Sequence, residues 1–217
     1  ALGLPFVKRG YIKGLWRHLY DLLLILLAIA AVAAYFEFGW LRYGRYMNPH
    51  DAYHYYMGAK YSREHNYFNL YRCSLIADKE MRGVYRQNTI RDLKTHRFEN
   101  VTQVMQRKDQ YKAGFSAERW DEFKKDIAYF QSLVPASKWN QMLQDKGYNA
   151  TPVWNSLARW ITERASTESV WAMRLLTYID LALLILMFLA VWRTFGLRVM
   201  LFAIIFYGTN YFMSFVH

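Results

Sequence analysis

Residues Leu22 to Phe36 read LLLILLAIAAVAAYF, fifteen consecutive residues without a charge. Taken from Leu15, the segment has about 22 residues and makes roughly 33 Å of helix, and about 20 mainly apolar residues are enough to cross a bilayer. Similar runs return at Leu181 to Trp192 and Val199 to Val216. A mean hydropathy of −0.11 hides these runs, because a polar central region dilutes them. The reading is an all-α integral membrane protein. Three transmembrane helices (15–36, 171–192 and 199–216) surround a largely helical external loop domain at 37–170, with a basic N-terminus at 1–14 and a link at 193–198.

Charge sets the orientation. Lys8, Arg9, Lys13 and Arg17 precede the first span, and Arg193 and Arg198 flank the link. Basic residues in short loops stay on the cytoplasmic side, whereas long loops are translocated largely regardless of charge. The N-terminus is therefore expected in the cytoplasm and the long loop outside, periplasmic in a bacterial inner membrane. The net charge of +11 is accounted for in part by this pattern. No zinc finger, arginine-glycine repeat or aromatic RNA-binding signature accompanies it, so nucleic acid is not an expected partner and anionic lipid headgroups are.

Cys73 is the one cysteine, which excludes an intrachain disulfide. Asn100-Val101-Thr102 and Asn149-Ala150-Thr151 match the short glycosylation acceptor pattern, the second weakened by Pro152. The first span reads as a retained anchor rather than a cleaved signal, since no small-residue cleavage site follows Phe36 and Glu37-Phe38-Gly39-Trp40 suits the membrane interface. A chain opening on Ala1 reads as a processed or partial product.

Within the loop, Ser116 is the expected N-cap of an amphipathic helix whose stripe is Trp120, Phe123, Ile127, Phe130 and Val134, ended by Pro135. Ser137 is the expected cap of the next, with Trp139, Met142 and Leu143 inward and Gly147 beyond its end. Thr151-Pro152 starts a third, with Trp154, Leu157, Ala158 and Ile161 as its apolar face. These tryptophan-bearing helices suit either a small core or the outer membrane surface. IADKEMRGVYRQ reads as a candidate helix, Asn88 to Gly114 has little period, and no strand pattern stands out.

The chemistry-bearing stretch is NPHDAYHYYMGAKY, Asn48 to Tyr61. Pro49 disfavours helix at the residue before it, and Asp51 then stands at a helix start. His50 or Asp51 shares a helical face with His54. A carboxylate with imidazoles holds a divalent metal or acts as a general base; the plainer alternative is that Asp51 caps the helix while the histidines and tyrosines line an interface. Asp51 and His54 are the candidate catalytic residues, and Asp51, His50 and His54 the candidate metal ligands. Asp180 is a second candidate near the external end of span two, with Arg174 and Tyr178 as expected partners, while Asp21 is expected to pair with Arg17 and His18 at the membrane edge. His18 and His217 are poor cofactor ligands, being at the edge and the end. The alanines from Ala28 to Ala34 and the polar Tyr207-Gly208-Thr209-Asn210 suit helix packing.

An acidic residue shortly after the first span, followed by an aromatic-rich helix and a small residue, resembles the first external loop of GT-C glycosyltransferases. Asp51, Tyr53, Tyr56 and Gly58-Ala59-Lys60-Tyr61 are similar to the pattern of the oligosaccharyltransferase catalytic subunit, and His65-Asn66-Tyr67-Phe68 falls where that family often has a polar turn and aromatics. The resemblance covers this short stretch and a topology. It implies that Asp51 is the base toward an acceptor or a metal ligand, with His50 and His54 as helpers, and that the donor is a polyprenyl-phosphate sugar. It also implies many more membrane helices than three, so the chain is read as the amino-terminal part of a longer enzyme or as a module kept for another purpose. A second expectation, of another class, is a non-catalytic accessory subunit that braces a respiratory or photosynthetic membrane complex against other membrane protein subunits. Walker, dinucleotide, nucleophile-elbow, paired CxxC and HExxH motifs are all missing, which leaves soluble-enzyme chemistries unsupported.

Overall fold

The computed structural model describes residues 4–36, 38, 47–147 and 151–210. The order is α1 (Leu4–Tyr35), α2 (Pro49–Lys60), α3 (Ser62–His65), α4 (Leu70–Met81), β1 (Thr89–Arg91), β2 (Phe98–Asn100), α5 (Val101–Gln106), α6 (Lys108–Lys112), α7 (Ala117–Ser132), α8 (Ala136–Met142), α9 (Pro152–Thr162), α10 (Val170–Phe195) and α11 (Leu197–Gly208). Contacts divide the chain into two units, Ala1–Asn48 with Leu176–His217, and Pro49–Leu175.

The first unit holds the apolar helices, α10 from Leu176 onward. Two of them, Gly14–Tyr35 within α1 and Val170–Phe195, are long and apolar enough to cross a membrane. The third expected span is shorter in its described part: α11 has 12 residues, about 18 Å of rise, and 211–217 lie outside the described residues, with His217 among them. The link expected at 193–198 shrinks to Gly196, whose φ of 87° lets α10 give way to α11 within one residue. α1 and α11 run parallel. Asp21 takes two bonds from the Arg198 guanidinium, at 2.6 and 3.1 Å, and ten residues further along both helices Gly208 lies so close that an added Cβ would sit 2.4 Å from the Ala31 carbonyl oxygen. Leu24, Ala28 and Leu201 are buried between them. Asp21 therefore pairs across helices with Arg198. Tyr207 meets Tyr35 and Phe188, and Asp180 lies within electrostatic reach of both tyrosines.

The second unit has its own core. Ser116 caps α7 by accepting from the Arg119 amide, and Trp120, Phe123, Ile127 and Phe130 are buried along one stripe, each contributing about 1.5–3 kcal/mol; Val134 is half-buried. α8 departs from expectation at its start: Pro135, not Ser137, holds the N-cap position, yet Trp139, Met142 and Leu143 are fully buried as expected. α4 covers the IADKEM half of the ambiguous segment and ends on Gly83 at φ 59°, whose amide bonds back to the Asp78 carbonyl. The Asp78 side chain then takes the amides of Val84 and Tyr85, both at 3.0 Å, so the chain leaves the helix with its backbone donors satisfied. The little-periodic segment contains an antiparallel hairpin, with Ile90 opposite Glu99. Strands of three residues are too short for alternation to show. Asn100, the first glycosylation candidate, caps α5 through the Thr102 amide, while Asn149 lies outside the described residues.

α9 starts at Pro152 as expected, but its apolar face is turned. Leu157 is 56% exposed, in a row with Val153 at 80% and Trp160 at 59%, while Ala158 and Thr162 are buried and Ile161 half-buried. Arg164 stacks on Trp160 at 4.4 Å. The Trp154 side chain, Glu37, Gly39, Trp40 and the side chains of Lys8, Arg9 and Lys13 lie outside the described set.

Candidate functional site

The site grows from the first turn of α2. Pro49 fits the first turn, where its missing N–H is no loss, and Asp51 sits where a helix start favours a carboxylate. One turn on, the His54 ring lies beside that of His50, tilted by 51°, with ring centroids 4.5 Å apart. The wall behind is aromatic: Tyr53 is fully buried, edge-on to Trp139 and Phe130, with its hydroxyl 2.8 Å from Ser74 Oγ. This packing fixes the side of α2 that turns inward and so fixes where His50 and His54 emerge.

The fourth member comes from the turn after α8. The Arg91 amide and Nε donate to the carbonyls of Leu143 and Gln144, both at 3.0 Å, pinning that turn to β1. Gly147 continues it at φ 85°, where an added Cβ would sit 2.9 Å from Leu93 Cδ2. Thus held, Asp145 places Oδ2 2.7 Å from His50 Nε2, while Asp51 Oδ1 lies 3.3 Å from the other ring nitrogen, Nδ1. Two carboxylates therefore grip one imidazole from opposite edges. Burial opposes its charge, but the bonds to Asp145 and Asp51 outweigh burial and raise the His50 pKa to about 9. The bond from His50 likewise keeps the Asp145 carboxyl below its usual range.

His54 is the opposite case. It is buried, and burial pushes its pKa down to about 4, with the neighbouring His50 charge adding to the effect. Its Nδ1 lies 2.7 Å from the His50 carbonyl, which only accepts, so Nδ1 carries the proton. The lone pair is then on Nε2, which takes the Tyr71 hydroxyl at 2.6 Å. One cationic and one neutral imidazole stand side by side, and ligand atoms of His50, His54 and Asp145 all lie within 4.8 Å of one another.

A second polar cluster lies deeper. Lys60 Nζ is 2.8 Å from Asp126 and 2.7 Å from Glu122; Tyr61 and Thr167 donate to Asp126 at 2.7 and 2.6 Å. Lys60 and Asp126 are 2% and 3% exposed, and with three partners for the carboxylate this cluster ties α2 and α7 to the segment after α9.

Of the residues singled out in the sequence, His50, Asp51 and His54 are brought together, and Asp180 belongs to the other unit. Asp145, Tyr71, Lys60 and Asp126 were missed as site or network residues. Asp126 had a signal: it interrupts the buried stripe of α7 between Phe123 and Ile127. Asp145 had none, because only the bonds to β1 bring it to α2. No family model matches the chain, and no curated protein or solved structure matches it significantly.

Proposed function

We propose that the chain is a GT-C-like membrane module that transfers a sugar from a polyprenyl-phosphate donor to an acceptor on the external face. The observation that carries this reading is the meeting of Asp51, His50 and His54, on the first helix after α1, with Asp145 from the turn after α8, and with Asp51 and His50 partly accessible from solvent. Three membrane helices, with the N-terminus in the cytoplasm, would put that cluster on the external side, where a lipid-linked donor is presented. In this role the Asp51 carboxylate takes the proton of the acceptor group as that group's heteroatom bonds to the anomeric carbon. The bond from that carbon to the carrier phosphate breaks, and the carrier leaves with the electron pair. His50, held between two carboxylates, orients Asp51 and balances its charge. The parallel packing of α1 on α11, locked by Asp21 and Arg198, supports an odd number of crossings between the two chain ends of this unit.

A second reading is favoured by the exposed row Val153, Leu157 and Trp160 on α9: a non-catalytic subunit that braces a larger membrane complex, with this row set against lipid or a neighbouring subunit. Asp51→Asn separates the two. Loss of sugar transfer in membranes with the protein's co-purifying partners retained supports the transferase. Unchanged transfer, together with loss of complex formation when Leu157 and Trp160 are replaced by serine, supports the brace.

A further inference from the structure

We propose that His50, His54 and Asp145 form a binding site for a divalent transition metal of the zinc class, with Asp51 orienting one ligand from behind. The three ligand atoms already lie within 4.8 Å of one another, and a cation bonded at about 2.0–2.2 Å to each, which spaces tetrahedral ligands roughly 3.4 Å apart, requires the 2.7 Å His50–Asp145 contact to open and the three side chains to close around it.

Two features distinguish this arrangement from a chance gathering of polar groups. Metal-bound histidines give their second ring nitrogen to a carboxylate or a backbone carbonyl, which fixes tautomer and ring direction. Both forms are present: His50 Nδ1 faces the Asp51 carboxylate at 3.3 Å, and His54 Nδ1 donates to the His50 carbonyl at 2.7 Å. Each ring therefore turns Nε2 toward the site. Asp51 lies on the far edge of the His50 ring from Asp145, which places it behind the ligand shell.

The donor set selects the ion. Two imidazoles and one carboxylate suit zinc and its neighbours, whereas magnesium and calcium prefer oxygen alone. Three protein ligands leave a fourth position for water or a substrate oxygen. His54 is buried, while the His50 and Asp145 side chains are 22% and 34% exposed, so the cation enters from the solvent side. On entry it replaces the proton held between His50 Nε2 and Asp145, which passes to solvent, and the Tyr71 hydroxyl swings away from His54 Nε2. Binding does not depend on the transfer reading; if both hold, the metal stands one imidazole away from the acceptor base.

The test is a zinc chloride titration of the full chain, chelator-treated and in detergent micelles, read by calorimetry and by the visible spectrum of a parallel cobalt(II) titration. The expected result is one saturable equivalent, with cobalt bands typical of four-coordinate nitrogen and oxygen ligation. Asp145→Asn abolishes saturation, and Asp51→Asn keeps it with affinity lowered about 10–100-fold. Helix content by circular dichroism before metal addition separates lost ligation from lost folding. His50→Gln, at a partly exposed position, is the second ligand variant and also abolishes saturation. No saturable uptake by the unaltered chain, or equal uptake by folded Asp145→Asn and His50→Gln chains, overturns the proposal.

Discussion

His50 and Asp145 meet at 2.7 Å, joining the first turn of α2 to the turn that follows α8. Because that turn is held by β1 and by Gly147, the pair reports whether the whole unit is folded around the site. The energetics of the unit lead to expectations that do not depend on any particular reaction.

Asp126→Ala removes the buried carboxylate beside the Lys60 ammonium and leaves it only the partly exposed Glu122 as an anionic partner. Breaking a buried pair from one side costs about 3–5 kcal/mol, whereas replacing both partners by apolar groups recovers much of the loss. Denaturant melts of the full chain in micelles should show Asp126→Ala strongly destabilised and Lys60→Met/Asp126→Leu substantially rescued.

His65 is fully buried and donates Nε2 to the Met57 carbonyl at 3.1 Å; burial pushes its pKa down from 6.5 to about 4. The unfolded chain therefore binds its proton first, and this group removes stability as pH falls from 6.5 to 4, by roughly 3 kcal/mol. His65→Gln keeps a donor and has no such titration. Melting from pH 7 to pH 4 should cost the variant less than the unaltered chain by about that amount, and parallel curves would contradict the assignment.

Gly208→Val places branched carbon where even a Cβ would meet the Ala31 backbone. Overpacking of this kind costs about 1–3 kcal/mol. Unfolding in micelles by added SDS should occur earlier in the variant, and Asp21→Asn should loosen the same helix pair through Arg198.

Leu157→Ser and Trp160→Ser act at exposed positions, so each should leave the melting of the isolated chain nearly unchanged, within about 0.5 kcal/mol. A large loss would show that the row packs against the protein's own core.

Legibility in the sequence followed the range of the interactions. The cap at Ser116 and the stripe from Trp120 to Phe130 are local, and both were readable because a cap and a helical period lie within one segment. The two long apolar helices were readable for the same reason. α9 shows the limit: Leu157, Ala158 and Ile161 share one broad apolar arc, and nothing within the segment says which edge of that arc a core will cover. The hairpin was missed because its strands are three residues long. Three of the four site residues were visible, since His50, Asp51 and His54 fall within about one turn of helix; Asp145 was not, because its place is set by hydrogen bonds from Arg91 and Gln144 to distant backbone.

The proposed role of Asp51 requires the His50–Asp145 unit to face the outside of the membrane. Cys73 is buried, and burial pushes its thiol well above the usual range, so the unaltered chain gives little background with thiol reagents. Lys125 is exposed on α7. In sealed cells producing Lys125→Cys, a membrane-impermeant maleimide should label the chain without permeabilisation. Labelling that appears only after the cytosol is opened would contradict the placement and, with it, the proposed role of Asp51.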